Sequence, residues 1–109
     1  VRYSKLPFRL LVRDYGTDIC YTPMILADSF MYSSIARDLE LQVCPRDRPL
    51  VVQFAARTVE EFATAYRLVA PYVAGVDLNC GCPQGWALQE GIGASLMAKP
   101  EILQGMVRE

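Results

Sequence analysis

Three apolar runs recur at roughly 30-residue spacing, and they restrict the folds open to this chain more than any other feature. They are D-I-C-Y-T-P-M-I at 18–25, R-P-L-V-V-Q-F-A-A at 48–56 and A-G-V-D-L-N at 74–79. Each interval carries helical signals. A helix is expected over about Ser29 to Leu39. Thr58 and Glu61 form a T-x-x-E capping box, followed by Phe62, Ala65, Tyr66 and Val69 at helical spacing, and Pro71 ends that helix. Pro100 opens a last helix at its first turn. Ahead of the first run, S-K-L-P-F-R-L-L-V-R-D-Y-G reads as a helix with Ser4 as N-cap and Gly16 as stop. Phe8, Leu11, Val12 and Tyr15 form its apolar face. Lys5, Arg9 and Arg13 form a stripe read as solvated, with RNA contact as the minority alternative.

Strands alternating with helices imply βα units and a parallel sheet, because a parallel neighbour needs a crossover of a dozen or more residues. Near-continuous apolar strands mean that both sheet faces are covered. The fold class is therefore α/β. Three strands cannot close a barrel, which takes about eight strands and 250 residues. The chain is a small open sheet or a piece of something larger.

Composition narrows the function classes. The 109 residues are 52% hydrophobic and 21% charged, a globular balance. A net charge of −1 lacks the basic footprint of a nucleic-acid-binding domain, although a separate domain could supply one. No run reaches the roughly 18 apolar residues of a membrane span, and no signal peptide is read at the start. Cys20 and Cys80 sit in strand-like apolar runs, where reduced cysteine packs as a small hydrophobe. That favours a reducing, intracellular setting, cytoplasm or nucleus. With no histidine and a lone C-x-C, a metal site is not expected.

In parallel α/β sheets, chemistry gathers at the C-terminal strand ends. Gln53 lies near one such end and Asn79 closes the next, with Asp77 on the same strand face as Asn79. Cys82 follows in a loop tightened by Gly81 and Pro83. Each has a plain alternative: Gln53 can satisfy a loop amide, Asn79 can hold a turn, and Cys80 can simply pack. Cys82 is the best chemical candidate.

The stretch D-L-N-C-G-C-P-Q-G-W-A-L-Q-E-G-I-G-A-S-L-M-A-K-P resembles the N-x-G-C-P…G-A-x-L-x-x-x-P signature of the tRNA-dihydrouridine synthases. Asn79, Gly81, Cys82 and Pro83 supply the first half; Gly93, Ala94, Leu96 and Pro100 supply the second. Upstream, L-P-F-R-L-L-V-R-D-Y-G-T-D-I-C-Y-T-P-M and L-V-V-Q-F-A-A resemble further family segments in the expected order. The N-C-G-C-P-Q wording most resembles the eukaryotic branch acting on D-loop uridines 20a and 20b. The resemblance implies an FMN-dependent TIM (β/α)8 barrel with a helical tRNA-binding domain. NADPH or NADH reduces the FMN, which passes hydride to C6 of uracil, and a loop cysteine protonates C5. Carried over, Cys82 becomes the general acid, Gln53 a flavin contact, and Asn79 the asparagine beside flavin and substrate. A thiol with a pKa of about 8.5 is mostly protonated near neutrality, and no histidine is present to make it a nucleophile.

Pro23-Met24 resembles the A-P-M end of the family's first strand. However, R-Y-S-K-L-P-F-R matches the segment after that strand, so Pro23 and Met24 correspond to the second, with proline replacing the usual glutamate. Residues 1–109 are thus expected to be a fragment of the FMN-binding barrel domain, strands two to four preceded by the first helix. The first strand, the later strands and the tRNA-binding domain would lie outside it, and the isolated piece would be inactive. The alternatives are an FMN barrel of the dihydropyrimidine or dihydroorotate dehydrogenase type, or a catalytically inactive truncated product.

Overall fold

The computed structural model describes residues 3–109; Val1 and Arg2, the latter part of the R-Y-S-K-L-P-F-R stretch, lie outside it. Helix α1 spans Leu6–Asp14, strand β1 Cys20–Tyr21 and strand β2 Ile25–Leu26. Helices α2 (Ala27–Tyr32) and α3 (Ser34–Glu40) follow, then β3 (Leu50–Ala55) and α4 (Val59–Val69). A 3-10 turn, Ala70–Tyr72, leads to β4 (Gly75–Leu78). Helix α5 (Gly85–Glu90), a second 3-10 segment (Gly93–Ala98) and α6 (Pro100–Arg108) complete the order.

All strand pairings are parallel and all involve β3. One edge of β3 holds β1 and then β2; the other holds β4. The strand-like run over 18–25, expected to close at Pro23, pauses at Thr22–Met24, where Pro23 has no N–H to give a ladder, and resumes as β2. Tyr21 is opposite Val51 and Ile25 opposite Phe54, so four steps on one strand face three on the other. This is a β-bulge. The buried Thr22 hydroxyl repairs it by accepting from the Gln53 backbone N–H at 3.1 Å.

The core lies between the sheet and α2, α4 and α6. Val52 and Phe54 point into it with Ile25, Phe30, Phe62, Ala65, Val69 and Met106. Phe30 and Phe54 meet edge to face with ring centroids 5.2 Å apart, worth about 0.5–1.5 kcal/mol beyond burial. The capping box forms as expected: Thr58 Oγ1 accepts from the Glu61 N–H at 3.1 Å. Glu61 reaches one residue further back than the standard box, accepting from the Arg57 N–H at 2.8 Å. The helix expected over Ser29 to Leu39 is divided at Ser33, whose hydroxyl accepts from the Ala36 N–H and starts α3 afresh.

Helix α1 reverses the expectation. Lys5, not Ser4, occupies the N-cap and makes no side-chain cap; the Ser4 hydroxyl donates to the Tyr21 carbonyl instead. Phe8, Leu11 and Tyr15 are exposed, while Arg9, read as solvated, is 3% exposed. The reason is Asp47, whose side chain is fully buried and needs compensating charge. Arg9 Nε donates to Asp47 Oδ2 at 2.8 Å and Arg13 Nε to Oδ1 at 2.9 Å. Further guanidinium protons go to the carbonyls of Ser4, Gln42, Asp18, Arg48 and Pro49. Periodicity revealed two faces on α1 but not which one the fold would bury.

Removing one member of a buried charge cluster leaves the others uncompensated, at about 3–5 kcal/mol. Asp47→Leu is therefore expected to lower stability by that amount in urea denaturation. Arg46→Ala, which breaks an exposed pair with Asp14, is expected to cost under about 1 kcal/mol. Equal midpoints for the two variants would contradict this account of how α1 is attached.

Candidate functional site

Strand alternation divides the residues of β3 and β4 between two environments. Val52, Phe54, Val76, Leu78 and Cys80 join the helix-side core. On the opposite face, β3 and β4 bring Gln53 beside Asp77, a pairing fixed by register. Gln53 Nε2 donates to Asp77 Oδ2 at 2.6 Å, and Asn79 Nδ2 donates to Gln53 Oε1 at 3.0 Å. Asn79 Oδ1 then accepts from the N–H groups of Gly81 (3.1 Å) and Cys82 (2.9 Å), the Asx turn that starts the loop. The sequence alternative that Asn79 holds a turn is met, and the same side chain ties that turn to Gln53.

The two cysteines separate by face. Cys80 packs on the helical core, and burial, with a smaller contribution from Asp77, raises its thiol pKa above the ordinary value. It stays a neutral thiol at neutral pH and is disfavoured as a nucleophile or a metal ligand. Cys82 packs beside Ala55, Ala87 and Ile92, with Met24 and Leu26 in the same cluster. Its carbonyl accepts from the Ala94 N–H at 3.0 Å, so the 3-10 segment backs onto the loop. Gly93 makes this contact possible. Its φ is +63°, and a Cβ there would stand 2.7 Å from the Cys82 carbonyl oxygen and 2.8 Å from Cys82 Cβ. The two halves of the motif, eleven positions apart, are one piece of structure.

Three contributors were not legible as such in the sequence. The Thr22 hydroxyl supports Gln53 from below, across the bulge. Gly93 and Ala94 belonged to the motif, but their contact with Cys82 depends on α5 turning the chain back. The third is Arg57, whose guanidinium joins three elements: Nη2 reaches Asp28 Oδ2 at 2.7 Å, Nη1 reaches Glu90 Oε2 at 3.0 Å, and Nε reaches Glu61 Oε1 at 3.3 Å. The hydrogen bond and charge of Glu61 lead in raising its pKa, so Arg57 is a permanent cation here. With Leu26, Ala55, Trp86 and Ile92 these residues line a cavity of about 180 Å³ at the C-terminal ends of β2 and β3. The only sequence signal for Arg57 was its place before the capping box.

The chain matches the model of the dihydrouridine synthase (Dus) family across residues 1–109. It belongs to the dihydrouridine synthase family. It is 55% identical over 109 residues to the Homo sapiens protein named tRNA-dihydrouridine(20a/20b) synthase [NAD(P)+]-like, covering all of this chain and 34% of that protein. The Schizosaccharomyces pombe tRNA-dihydrouridine(20a/20b) synthase [NAD(P)+] is 51% identical over 108 residues, covering 99% of this chain and 33% of its own length. A Rattus norvegicus protein named tRNA-dihydrouridine(16/17) synthase [NAD(P)(+)]-like is 43% identical over 109 residues, or 98% of this chain and 25% of that protein. This chain thus spans about a third or less of the relatives it matches. As a dihydrouridine synthase chain, its parallel β/α units form part of a TIM (β/α)8 barrel. Among the described residues no three His, Cys, Asp or Glu side chains gather to hold a metal, and no helix is long and apolar enough to cross a membrane.

The Gly93 contact gives a graded expectation. Gly93→Ala combines a left-handed backbone with a clash against Cys82, costing about 2–4 kcal/mol. Gly91 is also left-handed, at φ +76°, but its nearest neighbours are 3.7 Å and 3.8 Å away at the flexible side chains of Lys99 and Arg57. Gly91→Ala should cost only about 1–2 kcal/mol. Urea midpoints of the two variants check the order.

Proposed function

We propose that this chain supplies the proton-donating loop and part of the flavin contact of an FMN-dependent tRNA-dihydrouridine synthase. The substrate is a D-loop uridine of tRNA, at position 20a or 20b, and the reductant is NADPH or NADH. The separation of Cys82 from Cys80 carries this reading: one thiol lies beside the polar strand ends, and the other is committed to the core. Family membership and the relatives' names support it.

The reaction converts the C5–C6 double bond of uracil to a single bond by adding a hydride at C6 and a proton at C5. FMN, when bound, supplies the hydride and takes its electrons from the nicotinamide. Cys82 gives its thiol proton to C5, and the thiolate left behind recovers a proton from water. No activating base is needed, because the donor in this step is the thiol and not the thiolate. The uracil must leave the tRNA stack to be reached.

Gln53 and Asn79 fit the role of flavin contacts. Each carboxamide nitrogen has two protons, and the internal network uses one of each. The Gln53 carbonyl keeps a second lone pair. Two half-buried amides held in fixed orientation suit the alternating donor and acceptor edge of an isoalloxazine. We place the protein inside the cell, in cytoplasm or nucleus, on the strength of four cysteines in thiol form.

In the full-length protein, Cys82→Ala is expected to keep its flavin and its reduction by nicotinamide. Dihydrouridine formation should fall by about 10²–10⁴, the usual loss for a general acid. Cys80→Ala should change it far less. Mass spectrometry of the tRNA product reads both, and equal losses would remove the distinction between the thiols. Gln53→Leu leaves a polar edge of the flavin unpaired and should weaken FMN binding by about 1–3 kcal/mol, read by flavin titration. Unchanged affinity would make Gln53 purely structural.

A further inference from the structure

A line of polar groups crosses the C-terminal ends of β3 and β4, and the chemistry of its two ends is fixed. The Asp77 carboxylate can only accept. The N–H groups of Gly81 and Cys82 can only donate. Between them lie two carboxamides, Gln53 and Asn79, each with one donating and one accepting end. Only one orientation of both amides satisfies every contact, with Nε2 of Gln53 toward Asp77, Nδ2 of Asn79 toward Gln53, and Oδ1 of Asn79 toward the loop. The parallel register sets Gln53 directly beside Asp77, so no loop has to adjust to make the first contact.

The geometry points to Asp77 as a positioning residue that holds the Cys82 loop through Gln53 and Asn79. Its neighbours along β4, Val76 and Leu78, are apolar and face the core. Asp77 lies on the opposite face, and its one side-chain partner among the described residues is Gln53. Without an acceptor at position 77, Gln53 is free to turn end for end. That would bring its NH₂ against the NH₂ of Asn79, and two donors cannot pair. Asn79 then turns as well, and its Oδ1 leaves the Gly81 and Cys82 N–H groups. The thiol loses its fixed position even though Asp77 never touches it. The bearing of this on catalysis rests on the reading of Cys82 as the proton donor; the positioning itself does not.

The test uses the full-length protein with Asp77→Leu and Asp77→Asn. Both remove the charge, and only Asn keeps an oxygen that can accept from Gln53. The readout is the alkylation rate of each cysteine with iodoacetamide, followed by peptide mass spectrometry, with Cys44 as reference because Cys80 senses the Asp77 charge. Asp77→Leu is expected to speed Cys82 alkylation by about five- to tenfold, the equivalent of one lost hydrogen bond. Asp77→Asn should stay within about twofold of the parent, by the same measure. Equal rates in the two variants, or no change in Asp77→Leu, would overturn the assignment.

A second pair of variants keeps the test open if Asp77→Leu does not fold. Gln53→Glu sets two acceptors against each other and should release Cys82. Adding Asp77→Asn restores a donor opposite the new carboxylate and should return the rate toward the parent; a double variant as reactive as the single would overturn the proposal. Dihydrouridine formation is measured alongside in the position-77 variants. A released Cys82 with undiminished tRNA reduction would leave the positioning role standing and remove Cys82 as the acid.

Discussion

Every strand pairing in this sheet passes through the backbone of β3. It binds β1 and β2 on one edge and β4 on the other, so the register of the whole sheet is set by six residues, Leu50–Ala55. Alternation along β3 then assigns environments. Val52 and Phe54 go to the helical core, and Gln53 goes to the opposite face. A one-residue slip of β4 would move Asp77 to the helix side and set an apolar residue against Gln53. The apolar packing of Val76 and Leu78 on α4 and α6 resists that slip. The polar site is thus held in place by hydrophobic burial on the other side of the same strands.

Two charge clusters perform different tasks in this framework. Arg9, Arg13 and Asp47 are almost wholly buried and attach α1 to the N-terminal end of β3, an attachment that elsewhere would be made by apolar side chains. Such a cluster carries a desolvation cost that good pairing offsets, and here five further guanidinium hydrogen bonds run to backbone carbonyls. Arg57 sits at the other end of β3, partly exposed, and draws together the N-terminus of α2, the first turn of α4 and the end of α5. Solvent weakens each of its pairs, so its effect is to set the relative placement of three elements around the C-terminal ends of β2 and β3, with little added stability from any one contact.

The bulge at Thr22–Met24 joins these features to the site. Proline in this strand forces a break in the ladder, and the break leaves the Gln53 N–H without a strand partner. The Thr22 hydroxyl accepts from that N–H, so the backbone beneath the Gln53 amide stays fixed. Thr22 from the bulge, Gln53 from β3 and Asp77 from β4 consequently meet at one level of the sheet.

Local signals in the sequence were enough to define most elements. The β3 run, the Thr58 capping box, the Pro71 stop and the Pro100 start correspond to observed boundaries, because each depends on interactions within a few residues. Sequence also separated Cys80, at the end of an apolar run, from Cys82, in the loop tightened by Gly81 and Pro83, because both are local features. Tertiary structure decided the rest. Which face of α1 is buried depended on Asp47, more than 30 residues away, and the helix period is blind to that partner. Pro23 marked a break in the run 18–25, but that Ile25 and Leu26 resume pairing with the same strand, leaving a bulge, depended on β3. Gly93 meets Cys82 only because α5 reverses the chain, and Asp77 connects to the Cys82 loop only through Gln53 on a neighbouring strand and then Asn79. Periodicity fixes the direction in which a side chain points; the group it meets there depends on register and packing, which form only when distant segments come together.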